Sequence, residues 1–194
     1  MNYQIKFTLF ALLLSNMATA QYSINRSLFA KEYSKDECLF KSKNFVITEI
    51  LGDYSVNVNK VEMESLTAAN SGELTTVYYK SEDKNKEGLV LGFFGSRWNE
   101  SGVVFTSYAF KNLTTEDAIT VLNKLKDVTV ENQKYLSEPG SNNERNLYFK
   151  YGDLSFIIYY DLVYKIRVLW NDFDVTWDYK SFEKTLKRFK KRVK

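Results

Sequence analysis

Residues 154–193 read LSFIIYYDLVYKIRVLWNDFDVTWDYKSFEKTLKRFKKRV, and this stretch decides the fold class. Leu154 to Tyr160 is an apolar run of strand length. Tyr164, Ile166, Val168 and Trp170 then alternate with Lys165, Arg167 and Leu169, and Phe173, Val175 and Trp177 do the same beside Asp174 and Thr176. A period of two puts alternate side chains on opposite faces, as a half-buried strand requires. From about Asp178 the period changes. Phe182, Leu186, Phe189 and Val193 fall on one side of a helix, and strands followed by a helix that must cover them make an α+β pattern.

The same logic extends upstream. Leu147 to Tyr151 is a strand, with Gly152-Asp153 as the turn into Leu154. Thr129 to Asn146 is polar, carries Pro139-Gly140 and reads mostly as loop. Thr114 opens a helix, its hydroxyl capping free N–H groups, and Ala118, Val121, Leu122 and Leu125 share one face. Leu74–Lys80, Leu89–Gly95 and Val103–Phe110 read as strands. The segments joining them, 81–88 and 97–102, hold too few apolar residues for a crossover helix, so these pairs are expected to be antiparallel. Phe45–Ile50 also reads as a strand, with Gly52-Asp53 as a hairpin turn into the alternation of Tyr54, Val56 and Val58. Before it, Leu28, Phe29, Tyr33 and Leu39-Phe40 mark a loose helical stripe. The expected architecture is α+β: one domain over 21–194, an extended antiparallel sheet with helices at 114–127 and 178–192 packed on one face. Residues 89–126 and 154–191 echo each other as hairpin, turn and helix, which reads as repeated architecture.

The first twenty residues have the order of a cleaved signal peptide. Lys6 supplies the positive charge, Phe7–Leu14 the short apolar run, and Ala18-Thr19-Ala20 the small residues before a cut ahead of Gln21. The run is too short to span a bilayer, and Ser15-Asn16 ends it. A secreted or periplasmic protein, with no transmembrane segment after processing, is the expectation.

Composition excludes several chemistries. The chain has no histidine, so it lacks the commonest general base and zinc ligand, and Ser-His-Asp and Cys-His catalysis with them. Cys38 is the single cysteine, so no disulfide forms within the chain, and the adjoining Leu39 and Phe40 suggest burial. A formal charge of +3, one of which is Lys6, is too even to indicate a nucleic-acid binder. No cofactor and no metal are expected. Asp172, Asp174 and Asp178 gather at one junction but lack the spacing of a calcium loop. Gly92-Phe-Phe-Gly95-Ser96 lacks the spacing of a nucleophile elbow and reads as a strand whose glycines admit close backbone approach.

Two surfaces are candidates for binding. Trp98 lies in a turn beside Arg97 and Asn99, where a large aromatic has no obvious core duty. Lys184, Lys187, Arg188 and Lys191 lie on the last helix, around a stripe that is itself expected to be buried. Trp170 and Trp177 share phase with core residues, and in each of the pairs Tyr78-Tyr79 and Tyr159-Tyr160 alternation sends one ring to the surface. These features favour an exported, non-catalytic binding or accessory protein. Its partner would be an envelope glycan, lipid or protein, held on an uncovered sheet face or at the Trp98 turn. The alternatives are a hydrolase using Asp172 and Asp174, and an envelope-surface protein using the basic helix.

Overall fold

The computed structural model describes residues 34–52, 58–66, 74–138 and 145–194, with the Trp98 side chain left out. The expected signal peptide, its expected cleavage point at Ala20-Gln21 and the alternation expected at Tyr54 and Val56 lie outside these residues. Glu37–Lys194 form one compact unit. Helix α1 covers 34–45. The strands are β1 (Glu62–Ser65), β2 (Leu74–Ser81), β3 (Lys86–Trp98) and β4 (Val104–Thr114), followed by α2 (Thr115–Glu131) and the short α3 (Gln133–Leu136). Then come β5 (Asn146–Tyr151), β6 (Leu154–Asp161), β7 (Val163–Trp170), β8 (Phe173–Asp178) and α4 (Tyr179–Arg192).

The fold is mixed α+β with antiparallel pairing throughout, but the strands form two sheets rather than one. β1-β2-β3-β4 is the first and β5-β6-β7-β8 the second. Each is a meander that ends in a helix, so the internal echo is one of topology. The windows 89–126 and 154–191 themselves hold different numbers of strands. The two sheets share one core. Phe93 of β3 meets Trp170 and Phe173 of the second sheet, with ring centroids 5.1 and 5.9 Å apart. α2 packs on β3 and β4, and α4 on β7 and β8. α4 also reaches the first sheet, where Phe189 meets Tyr78 edge-on and Thr185 bonds Thr76 through their hydroxyls at 3.2 Å.

The α2 start behaves as its residues require. The Asp117 amide donates to the Thr114 hydroxyl at 3.2 Å, and that hydroxyl donates to the Asp117 carboxylate at 2.7 Å. Asp178 holds the corresponding position before α4, but its side chain makes no capping bond. As the last residue of β8, in step with Asp174 and Thr176, it belongs to the opposite face of the sheet. Residues 129–136, expected as loop, are helical apart from a break at Asn132.

The strand expected at Phe45–Ile50 is instead helical. α1 runs on into a π-turn over Val46–Leu51, closed by Gly52 at φ +58, whose amide donates to the Ile47 carbonyl at 3.2 Å. The β-branched composition favours a strand locally. What wins is the burial of Val46, Ile50 and Leu51 against Val77, Tyr79 and Val90. That packing covers the outer face of β2, which is why both Tyr78 and Tyr79 are buried and neither ring of that pair reaches the surface. It also explains Gly92. A Cβ there would collide with Thr75 and Ser42 and come within 3.1 Å of the Cys38 sulfur. Gly95 has open space around it and serves no such approach.

Candidate functional site

The second sheet has one core face and one open face. Phe156, Ile158, Ile166, Val168, Val175 and Trp177 are buried on the first. On the other, Asn146, Tyr159, Lys165 and Asp178 form one cross-strand row, and Tyr148, Ile157, Arg167 and Thr176 the next. This face neutralises its own charge. Lys165 donates to Asp161 at 2.7 Å, and Arg167 makes a two-pronged ion pair with Asp174. The Asp161 bond lifts the Lys165 ammonium above its ordinary pKa, and the Asp174 bond does the same for Arg167.

Beside the β6–β7 turn lies a cleft of about 880 Å³. Tyr160, Leu162, Val163 and Tyr164 form one wall, and Asp178, Tyr179, Lys180, Glu183 and Lys184 the other. The tyrosine rings interlock edge-on, Tyr160 to Tyr164 at 5.2 Å and Tyr164 to Tyr179 at 5.8 Å. Tyr179 continues to Phe182, so the aromatic wall is rooted in the core. Burial pushes the Tyr179 phenol above its ordinary range, and the nearby Glu183 carboxylate adds to that. The phenol therefore stays neutral across the physiological range. Leu162 is 87% exposed at φ +59, and Val163 is exposed beside it.

Of the residues expected around Trp98, Arg97 and Asn99 have partners within the chain. Trp98 ends β3 opposite Val104, and its side chain lies outside the described residues. Asn99 is occupied with its own loop, its amide oxygen accepting from the Ser101 and Val103 amides at 3.0 and 2.8 Å. Arg97 lies 4.4 Å over the Phe173 ring and donates to Asp172 at 3.1 Å. A hollow of about 440 Å³ adjoins it, lined by Ser96, Arg97, Asp172 and Asp174 among others. Asp172 and Asp174 each belong to a different arginine, so this corner offers no free pair of carboxylates for acid–base work. Among the described residues no cluster of three potential metal ligands occurs.

The basic-helix candidates Lys184, Lys187, Arg188 and Lys191 are all exposed, and Arg188 donates to the Leu66 carbonyl at 3.4 Å. Arg192, outside that candidate set, pairs with Glu64. Cys38 is buried, its sulfur 3.4 Å from the Thr75 hydroxyl, and desolvation pushes its thiol pKa up to about 11.

The cleft was not read from the sequence. Its one local signal was Asp161-Leu162-Val163, a turn between strands with neither Gly nor Asn at its bend. Compared with known protein families, curated proteins and solved structures, the chain matches none of them.

Proposed function

We propose that this is an exported, non-catalytic binding protein. Its leader is removed after Ala20, it works in the periplasm or outside the cell, and its ligand seats in the cleft between the β6–β7 turn and the start of α4. One observation carries this reading: a tyrosine-walled cleft rooted in the core, of a size suited to a small organic ligand, with Lys180 and Lys184 on one wall. Such a cleft selects an apolar or aromatic body bearing an anionic group. Rings supply the contact area and the ammonium groups fix the orientation. The absence of histidine and the arginine-paired carboxylates support binding over turnover.

The test is titration with dansyl-undecanoic acid, an apolar chain with a carboxylate, followed by probe fluorescence. Saturable one-to-one binding is expected, weakened roughly fivefold or more in Lys184→Ala and in Tyr164→Ala, with circular dichroism confirming the fold of each variant. Equal affinity in both variants and wild type would place the ligand elsewhere.

A further inference from the structure

We infer that the β6–β7 turn and the outward ridge of α4 form a docking surface for an anionic lipid bilayer. The first observation is the conformation of Leu162. Outside this turn, the described residues at positive φ are Asn85, Asn171 and glycines, the residue types that tolerate the left-handed region. Leu162 takes that conformation at φ +59 and holds its side chain almost wholly in water. Strain and exposure coincide on one apolar residue, with exposed Val163 next to it. Such a residue is costly to the free protein and useful at an interface.

The second observation is independent of the first. Lys180, Lys184, Lys187 and Lys191 recur on alternating four- and three-residue steps, which aligns them along one side of α4. Phe182, Leu186 and Phe189 are buried on the opposite side. All four lysines are exposed, and no acidic side chain pairs with any of them among the described residues. Arg192 on the same helix does find a partner, so lack of acids nearby is not general. Like charges on successive turns repel, and the ridge extends about 16 Å along the helix.

These features meet. Leu162, Val163, Lys180 and Lys184 line the same cleft. A soluble polyanion has no use for the apolar tip, and a ligand small enough for the cleft does not extend to Lys187 and Lys191. A bilayer uses both: the tip enters the headgroup–acyl boundary, the ammonium groups meet anionic headgroups, and the tyrosines sit at interfacial depth. The helix contributes charge only, because its apolar stripe is committed to the core. The inference shares residues with the cleft but needs no ligand inside it.

The test is co-sedimentation of the purified protein with phosphatidylcholine vesicles, with and without phosphatidylglycerol. Binding is expected only with phosphatidylglycerol and should weaken as salt rises. Lys187→Ala/Lys191→Ala should lower vesicle affinity roughly thirtyfold while leaving dansyl-undecanoic acid binding unchanged. Leu162→Asn should lower it at least fivefold with the fold intact. The inference is overturned by equal binding to both vesicle types or by full vesicle affinity in Leu162→Asn.

Discussion

Replacing exposed Leu162 by asparagine should stabilise the protein, against the usual expectation for loss of an apolar side chain. An L-residue held in the left-handed region costs about 1 kcal/mol or more, and asparagine relieves most of that. The opposing term is small. At 87% exposure only about an eighth of the leucine surface is shielded, and full burial would contribute about 2 kcal/mol, so roughly 0.3 kcal/mol is lost. The net gain is about 0.5–1 kcal/mol, which for a chain of this length raises Tm by roughly 1–4 °C. Urea unfolding followed by circular dichroism should show a higher midpoint with an unchanged slope. Leu162→Gly is the control. It relieves the same strain but frees the unfolded chain, so its gain should be smaller. A loss of more than about 0.5 kcal/mol in Leu162→Asn would refute the reasoning, because it would mean the leucine is held by packing.

Three further outcomes are expected. Gly92→Ala should destabilise by roughly 1–3 kcal/mol in thermal unfolding, since its Cβ has nowhere to go between Thr75, Ser42 and Cys38. Thr185→Val should cost about 1–3 kcal/mol by orphaning the buried Thr76 hydroxyl, and Thr76→Val/Thr185→Val should recover part of it; a double variant worse than the sum would contradict the pairing. Cys38 should resist alkylation in native protein at neutral pH and react once urea unfolds it. Its raised thiol pKa gives a sign: stability is complete below the unfolded value near 9 and falls as pH rises toward 11, by up to roughly 1.4 kcal/mol per pH unit. A flat stability profile across that window would count against its burial.

Local patterns were legible where the interaction is local. The Thr114 cap, the buried stripe of α4 and the alternation of β7 and β8 each follow from neighbours in the chain. The errors share a cause. Val46-Ile47-Thr48 looks like a strand to any local rule, yet the outer face of β2 draws it into a helical turn. The same covering layer buries Tyr78 and Tyr79 together, where alternation alone frees one. The cleft escaped local reading for a similar reason. Trp98 and Asn99 stood out as residue types, whereas the cleft is built from tyrosines on β6, β7 and α4 that no spacing connects.

The order of residues settled the type of most elements from Leu74 onward, the antiparallel hairpins and the exclusion of histidine chemistry, because periodicity, turn chemistry and composition act over a few residues at a time. Assembly decided which faces stay open: that the strands divide into two sheets around one core, that Arg192 is neutralised by Glu64 while Lys184 is not, and that Leu162 stands beside a lysine ridge. Burial and charge pairing depend on distances between remote segments, and those distances exist only once the chain has folded.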